Sequence, residues 1–230
     1  MKTGIIIPAR YDSKRLPGKV LEKINGKEVL LYIYERLKMI SRIKDIVVAT
    51  SSEESDNRIA EFCLKNYIEC FRGPKDDVAA RMLDCANSYG FDYFVRINGD
   101  NIFADFSVIE QMIEIATKGG YDFVNNVNGR TFPAGMSVEI LNSLFYGNII
   151  KHFKGHKYNE HVTSYLYEHE PEMNSFVFLN TICPEAKYIK LALDDDNDLR
   201  FIEWIVGKMK RSHTSYSLKE IYELSKGYRA

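Results

Sequence analysis

Short apolar runs alternate with helix-like segments through the first half of the sequence, and this alternation constrains the fold most. Residues 3–8 (TGIIIP) form a continuous apolar run, which is typical of a strand buried on both faces. Residues 26–39 carry apolar side chains at helical spacing, and residues 44–50 (KDIVVAT) return to a strand pattern. Strands separated by helices in this way indicate a sheet with helices on both faces. We therefore predict an α/β fold, a three-layer α/β/α sandwich around a mixed, mostly parallel sheet.

The same patterns place the remaining elements. Further strands are predicted at residues 68–71, 92–97, 121–127, 136–141, 174–180 and 188–193. Further helices are predicted at residues 54–67, 76–89, 107–118 with Ser107 as the cap, 143–153, 159–168 and 196–209, and a capping box at Ser217 and Glu220 begins the last one. Ligands of such sheets bind beyond the carboxyl ends of the strands. The loops after Pro8, Ile97 and Leu193 are therefore the first places to look for a site.

Composition excludes several classes of function. The 230 residues hold 31 Lys and Arg against 32 Asp and Glu, so no overall charge attracts nucleic acid or an anionic membrane. The apolar runs are too short to span a bilayer, and the N-terminus lacks the pattern of a secretory signal. The four cysteines show neither CxxC nor Cys/His ligand spacing, which favours buried, reduced thiols. We expect a cytoplasmic protein that binds no nucleic acid and does not insert into a membrane.

The loop after the first predicted strand concentrates positive charge. Within ten residues, around a Pro-Gly turn, it carries four cations: Arg10, Lys14, Arg15 and Lys19. Backbone N–H groups and cations at the end of a buried strand suit a triphosphate. A solvated basic loop would carry the same residues, but the position after a first buried strand favours phosphate binding.

Two aspartates follow later predicted strands. Asp100 comes after Gly99, which lets the backbone approach a ligand closely, and this suits a magnesium ligand, although a Gly-Asp pair also marks ordinary turns. Asp194 opens the run DDDND, in which Asp195 and Asp198 fit helix capping, so Asp194 is the better ligand candidate. A glycosyltransferase-like Asp-x-Asp motif stays an alternative for this run. If Asp100 and Asp194 share one Mg²⁺, their carboxylates must lie within about 8 Å of each other.

The stretch IIPARYDSKRLPGKVL strongly resembles the opening of the cytidylyltransferase superfamily. It looks most like the 3-deoxy-manno-octulosonate cytidylyltransferases and the spore coat polysaccharide cytidylyltransferase-like proteins. The resemblance implies a sandwich of the nucleotide-diphospho-sugar transferase type. It also implies that the first loop binds a nucleotide through Pro8, Ala9, Arg10, Ser13, Arg15 and Lys19, with Arg15 and Lys19 as the catalytic cations.

Matching motifs extend the resemblance along the chain. By their order, Asp100 and Asp194 take the places of the family's metal ligands, which implies Mg²⁺ as a cofactor. Weaker matches imply a nucleotide contact for Arg72 and Asn98 and an acceptor-side position for Glu139 and His161. We expect one domain over residues 1–230, with an inserted acceptor and dimerisation subregion at about 130–180.

The resemblance implies a Mg²⁺-dependent enzyme that transfers CMP from CTP to an acidic sugar or sugar-phosphate-like acceptor and releases pyrophosphate. Surface polysaccharide or glycoconjugate synthesis is the implied setting. The family also implies a homodimer, and clustered aromatic residues in the inserted subregion suit an interface. Two alternatives stay open. A nucleotide-sugar-dependent glycosyltransferase would release no pyrophosphate, and a catalytically silent nucleotide-binding module would not need both aspartates.

Overall fold

The computed structural model describes residues 1–13, 15–153, 158–159, 162–169 and 173–228. Its strands are β1 (Thr3–Pro8), β2 (Lys23–Ile24), β3 (Lys27–Glu28), β4 (Ile46–Ser51), β5 (Glu69–Gly73), β6 (Tyr93–Arg96), β7 (Phe123–Asn125), β8 (Glu139–Asn142) and β9 (Ser175–Val177). Its α-helices are α1 (Val29–Leu37), α2 (Asn57–Lys65), α3 (Val78–Ser88), α4 (Phe106–Gly119), α5 (Ser143–Ile149), α6 (Ser164–Glu168), α7 (Asp196–Gly207) and α8 (Leu218–Ser225).

One large sheet organises the described part of the chain. Its strand order is β5-β4-β1-β6-β8-β7-β9, and β2 and β3 form a separate hairpin. Strand β1 pairs in parallel with β4 and β6, and β5 adds to β4 in parallel. Strand β8 runs antiparallel to its neighbours β6 and β7, while β9 is parallel to β7. The sheet is therefore mixed and mostly parallel, which confirms the prediction.

Both faces of the sheet are covered, and this explains the continuous apolar run of β1. Ile5 and Ile7 belong to one hydrophobic core, whereas Ile6 belongs to the other. All three side chains are fully buried. Because successive side chains of a strand point to opposite faces, burying all three requires a layer of helices on each side. The three-layer arrangement is confirmed.

The first helix begins at Val29 and not at residue 26, where the apolar periodicity had placed its start. Asn25 and Gly26 adopt positive φ angles of 50° and 82° and turn the chain from β2 into β3. An Asn-Gly pair is the favoured two-residue hairpin turn because both residues tolerate positive φ. Residues 26–28, which the helical pattern had included, therefore belong to the hairpin.

Residues 188–193 do not form the predicted strand. The described chain shows a 3₁₀ helix at Pro184–Tyr188 and then only a single parallel bridge between Ala134 and Lys190. Gly135, at φ 94°, lies against this segment so closely that a Cβ atom there would stand 2.2 Å from the backbone nitrogen of Ala192. Leu191 and Leu193 of this run are buried without a strand ladder, whereas Tyr188 is exposed.

Helix α4 is capped by Asp105, and the prediction of Ser107 as its cap was wrong. The Asp105 carboxylate accepts hydrogen bonds from the N–H groups of Ser107 and Val108. Its second oxygen accepts from the N–H of Leu218 at 2.8 Å, at the start of α8. One carboxylate thus satisfies the N-termini of two helices, which Ser107 could not do from inside the first turn.

Aromatic rings cluster in and after α5. The buried Tyr146 packs edge-on against Phe94 and Phe153, and Phe153 also contacts Tyr158 and Tyr165. These contacts account for the aromatic composition within one chain, and the homodimer stays a prediction. Across the described residues, the helices are too short or too polar to cross a membrane.

Candidate active site

A cavity of about 530 Å³ opens at the carboxyl ends of β1 and β6. The first loop, helix α3, the end of β6 with the loop after it, and the segment before α7 all contribute to its lining: Pro8, Ala9, Arg10, Ser13, Arg15, Lys19, Val20, Val78, Arg81, Arg96, Asn98, Gly99, Asp100 and Asp194. This is the edge at which an open α/β sheet binds its ligands.

A buried carboxylate anchors the first loop. The N–H of Tyr11 donates to Asp56 at 2.6 Å, and the N–H of Ser51 at the end of β4 donates to the other oxygen at 3.0 Å. Burial raises the pKa of Asp56, but the hydrogen bonds from Ser51 and Tyr11 outweigh this effect and hold it below its ordinary value. The ionised Asp56 carboxylate therefore fixes the direction in which the first loop leaves β1.

Gly18 turns the loop back toward the cavity. It adopts a φ of 75°, and a Cβ atom at this position would lie 3.0 Å from the Tyr11 ring. Glycine removes both the backbone strain and the clash. The next residue, Lys19, begins a short 3₁₀ helix and points its ammonium group into the cavity.

Gly99 lets the second loop approach the first. Its N–H faces the carbonyl oxygen of Pro8 at 3.3 Å. A Cβ atom on Gly99 would lie 3.1 Å from that oxygen and 3.2 Å from the Val20 side chain. A larger residue would require the Pro8 carbonyl or the Val20 side chain to shift by a few tenths of an ångström.

The N-terminus of α7 presents Asp194. Asp195 is the N-cap, and its carboxylate accepts from the N–H groups of Asn197 and Asp198. Asp198 completes the capping box and accepts from the N–H groups of Asp194 and Asp195 at 2.9 and 3.2 Å. The capping expected for Asp195 and Asp198 is confirmed, and it leaves the Asp194 carboxylate facing the cavity.

Asp100 and Asp194 meet around the ammonium group of Lys19. Lys19 Nζ lies 2.6 Å from Asp100 Oδ2 and 3.1 Å from Asp194 Oδ1, and it donates to the Leu193 carbonyl at 2.8 Å. Arg15 Nη2 lies 2.9 Å from the same oxygen of Asp194. Because both carboxylates contact one nitrogen, their separation is inside the limit of about 8 Å set above for carboxylates that share one Mg²⁺.

Lys190 approaches Asp194 from the other side. Its Nζ lies 3.1 Å from Asp194 Oδ2 and 2.5 Å from Asp198 Oδ2. Burial raises the pKa of Asp194, but Lys19 and Lys190 outweigh this effect and hold it below its ordinary value. Asp194 is therefore ionised at neutral pH, which is the form that binds a cation.

A buried ion pair forms another part of the wall. Arg96 on β6 and Glu139 on β8 are opposite each other in the sheet, and Arg96 Nη1 donates to Glu139 Oε2. The other oxygen of Glu139 accepts from the Tyr167 hydroxyl at 2.5 Å. Burial lowers the pKa of Arg96, but Glu139 outweighs this effect and raises it overall. This part of the wall is therefore polar, and the opposite charges of Arg96 and Glu139 cancel.

Comparison with known proteins decides the family. A model of the cytidylyltransferase family matches residues 4–223. The chain belongs to the cytidylyltransferase family. It is a nucleotidyltransferase enzyme of the class whose members act on sugar-like substrates.

Three similar proteins illustrate the relationship. A solved cytidylyltransferase from Leptospira borgpetersenii serovar Hardjo-bovis is 29% identical, with a TM-score of 0.91 over 97% of this chain and 93% of that one. The spore coat polysaccharide biosynthesis protein SpsF of Bacillus subtilis is 29% identical over 211 residues, 88% of this chain and 85% of that protein. The 8-amino-3,8-dideoxy-manno-octulosonate cytidylyltransferase of Shewanella pealeana is 36% identical over 126 residues, about half of each chain.

In this cytidylyltransferase most of the predicted site residues line one cavity: Pro8, Ala9, Arg10, Ser13, Arg15, Lys19, Asn98, Asp100 and Asp194. Arg72 does not line it, because its guanidinium donates to the carbonyls of Ser51 and Glu53 and to the side chain of Asn57. Glu139 lies behind Arg96, and His161 falls outside the described residues. The ligand roles of all these residues stay predictions.

Sequence reasoning missed two arginines of the cavity wall. Arg96 ends the apolar strand run DYFVR, where a charged residue signals a buried partner or a ligand. Arg81 shares the inward face of α3 with Met82 and Cys85, all of which are buried. A charged residue on an otherwise apolar helix face was the available signal.

Proposed function

We propose that this cytidylyltransferase uses Mg²⁺ to transfer CMP from CTP to an acidic sugar or sugar-phosphate-like acceptor, with release of pyrophosphate, in surface polysaccharide or glycoconjugate synthesis. The observation that carries the proposal is the meeting of Asp100 and Asp194 around Lys19, at the edge of a cation-rich loop. The names of the Bacillus and Shewanella relatives, which refer to a spore coat polysaccharide and to an amino-dideoxy-octulosonate, support a sugar-like acceptor.

The donor set at this edge suits a divalent cation. The ammonium group of Lys19 already contacts two carboxylates and one carbonyl oxygen, so the position attracts positive charge. Two carboxylates completed by substrate phosphate and water form the environment that Mg²⁺ prefers. When bound there, Mg²⁺ would offset charge at the α-phosphate and lower the pKa of an acceptor hydroxyl.

The first loop supplies the remaining positive charge. Arg15 is largely exposed, so its ion pair with Asp194 is weak and its guanidinium can turn to a phosphate. Lys19 carries its charge on a flexible stem, and once displaced from the two carboxylates it can reach the same phosphates. Both side chains would then hold the departing pyrophosphate in line with the attacking acceptor.

The wall of Arg96 and Glu139 belongs to the acceptor side in this proposal. The pair carries no net charge, so it would offer a ligand fixed hydrogen-bonding groups. The cation-rich loop, in contrast, would offer positive charge. Fixed donors suit the hydroxyl and carboxylate oxygens of an acidic sugar. Glu139 would act here by holding Arg96 and not by touching the acceptor.

A pyrophosphate-release assay tests the proposal. Four nucleoside triphosphates are combined with octulosonates, other acidic sugars and sugar phosphates, with Mg²⁺ or with EDTA. We expect release with CTP, an acidic sugar and Mg²⁺, and none with EDTA or with Asp100→Asn. Binding without release for every pair would favour the silent module. Turnover of a nucleotide sugar without pyrophosphate would favour the glycosyltransferase. ATP or GTP binding tenfold tighter than CTP would refute the choice of base.

A further inference from the structure

The first loop is anchored to the rest of the molecule at two separate places. At its start, the N–H of Ala9 donates to the carbonyl of Ala49 at 3.1 Å, and the carbonyl of Pro8 accepts from the N–H of Gly99 at 3.3 Å. These contacts continue the pairing of β1 with β4 and β6, so the sheet itself holds the start of the loop. From Tyr11 onward the loop leaves the sheet, and other groups hold it.

The Tyr11 peptide closes the second part of the loop. Its carbonyl oxygen accepts from the N–H groups of Ser13 and Gly18, both at 2.8 Å. Gly18 directly precedes the short 3₁₀ helix that begins at Lys19. Ser13 and Lys19 both line the cavity, so the placement of these two residues depends on where the Tyr11 peptide lies.

Asp56 is the buried group that holds this peptide. It is 2% exposed, and its Oδ1 accepts from the N–H of Tyr11 at 2.6 Å. Its Oδ2 accepts from the N–H of Ser51 at 3.0 Å and from the Ser51 hydroxyl at 2.5 Å. Hydrogen bonds to an ionised group are stronger than those between neutral groups, and burial strengthens them further. The carboxylate therefore ties the loop firmly to the end of β4.

The other contacts described for this part of the loop are weaker or exchangeable. The side-chain contacts of its outer surface are exposed: Arg58 with the Tyr11 hydroxyl, and Ser55 and Lys75 with Asp12. Exposed contacts of this kind contribute little to stability. Lys19 is also held by two aspartates, but in the proposed function it exchanges these carboxylates for phosphate oxygens. Among the described contacts, the one with Asp56 is therefore the strongest that persists when phosphate is bound.

Resting on the proposed function, in which the first loop holds the phosphates of the nucleotide, we infer that Asp56 is a positioning residue for the polyphosphate chain. It touches no substrate. It holds the Tyr11 peptide so that the backbone and cations beyond it face the cavity before a ligand arrives. A loop that adopts this arrangement for only a fraction of the time binds more weakly by that fraction.

The two anchors predict a division between the parts of a nucleotide. The start of the loop, at Pro8 and Ala9, is held by the sheet and does not depend on Asp56. Loss of the Asp56 carboxylate therefore weakens the binding of phosphates and leaves the binding of the nucleoside unchanged. A purely structural role would lower the free energy of unfolding without separating these two affinities.

Calorimetric titration with inorganic pyrophosphate and with cytidine tests this division. Asp56→Asn keeps the size of the side chain but turns an amide N–H toward one of its former donors, so Tyr11 or Ser51 loses its acceptor. Pyrophosphate binds about 10- to 100-fold more weakly to this variant, because a buried donor is left unpaired and the loop is released. The affinity for cytidine stays the same.

Glu220→Gln is the matched control. The carboxylate of Glu220 also accepts from the N–H and the hydroxyl of one serine, Ser217, at 3.0 and 2.9 Å. This pair caps α8 and lies outside the cavity lining. Glu220→Gln therefore loses the same kind of contact but leaves both affinities unaltered.

Amide hydrogen exchange, followed by NMR, shows whether the effect passes through Tyr11. In Asp56→Asn the N–H groups of Ser13 and Gly18 exchange about tenfold faster or more, because their acceptor is no longer fixed, whereas the N–H of Ala9 keeps its protection. If Asp56→Asn does not fold, Ser51→Ala replaces it. This variant removes only the hydroxyl contact and gives the same pattern, with a loss of pyrophosphate affinity of about threefold to tenfold.

Unchanged pyrophosphate affinity in Asp56→Asn would overturn the inference, and so would an equal loss for pyrophosphate and cytidine. If another nucleoside binds better than cytidine, it takes the place of cytidine in the titration. If the unaltered protein binds pyrophosphate but releases none from any nucleoside triphosphate, the proposed function fails, and the variants still decide the role of Asp56. If the unaltered protein does not bind pyrophosphate, the first loop is no phosphate site and both ideas fail.

Discussion

Two ion clusters border the same cavity and are built in opposite ways. The phosphate-edge cluster consists of Arg15, Lys19, Asp100, Lys190 and Asp194. The wall cluster consists of Arg96, Glu139 and Tyr167. In the first, cations of differing exposure share carboxylates, and each carboxylate keeps partial contact with water. In the second, one carboxylate of 3% exposure is enclosed by two fixed partners.

One cavity can therefore combine a cluster whose ion pairs exchange partners with a cluster whose geometry stays fixed. The ion pairs that Arg15 and Lys190 form with Asp194 are partly exposed and therefore weak, so the phosphate-edge cluster can release these cations to a ligand. A buried pair is strongly destabilising to break, because the remaining partner is left charged and unpaired. The wall cluster therefore keeps its geometry while the other one rearranges.

The largest effect is expected from Asp100→Asn or Asp194→Asn. Either change should lower turnover about 1000-fold or more, since charge neutralisation at the phosphate is the main catalytic term. The melting temperature should barely change, because the lost contacts are exchangeable. Steady-state pyrophosphate release and thermal melts measure the two quantities. The double variant should lose little more than the worse single variant.

Asp195→Asn is the control for that experiment, because asparagine can keep the helix cap. It should leave turnover unchanged. If the two single losses multiply in the double variant, Asp100 and Asp194 do not act as one site.

The next effect concerns stability. Glu139→Gln leaves Arg96 buried without a counter-charge and should lower the free energy of unfolding by about 3–5 kcal/mol. Urea denaturation measures this. Glu114→Gln removes a carboxylate from an exposed pair with Lys118 and should have no measurable effect. A loss for Glu139→Gln as small as that of the surface control would show that the wall cluster is no more rigid than the phosphate edge.

A smaller effect is expected in metal binding without nucleotide. Lys19→Met removes the ammonium group from between the two carboxylates, so Mn²⁺, used as a paramagnetic probe, should bind about tenfold tighter, or roughly 1.4 kcal/mol. Electron paramagnetic resonance titration reports the free ion directly. Lys118→Met is the surface control and should leave the affinity unaltered. If Lys19→Met also leaves it unaltered, the ammonium group does not occupy the cation position.

The smallest effect is a change in acid response. A depressed carboxylate pKa adds stability above the unfolded value of 3.8, and that stability is lost as the pH falls through the folded-state pKa. Lys190→Met removes one of the cations that depress the pKa of Asp194, so this pKa should rise, and the loss of stability at acid pH should become smaller and end at a higher pH. Carboxylate NMR titration measures the pKa. If Lys190→Met leaves the pKa of Asp194 unchanged, Lys190 stabilises the charge of Asp198 alone.

The fold was largely predictable because it depends on local patterns. Strand β1 is apolar at every inner position, so the sequence alone indicates burial on both faces. Prediction failed where two local signals competed. Gly26 fitted both the start of a helical pattern and, with Asn25, a hairpin turn, and turn geometry prevailed. Residues 188–193 had the apolarity of a strand, but in the described chain they form a single bridge, between Ala134 and Lys190.

The kinds of groups at the cavity could be predicted from the sequence alone: a cation-rich loop after the first strand, and two aspartates later in the chain. For the first loop and Asp100 this follows because the carboxyl ends of parallel strands share one edge. Asp194 reaches the same edge from a segment of the described chain that forms no strand. Only the tertiary structure decided which long side chains meet. Lys19 and Asp194 are 175 positions apart, and Arg81 faces the cavity while Arg72 turns to backbone carbonyls. Periodicity tells which face a residue occupies, whereas the partner of a flexible charged side chain depends on how distant segments pack.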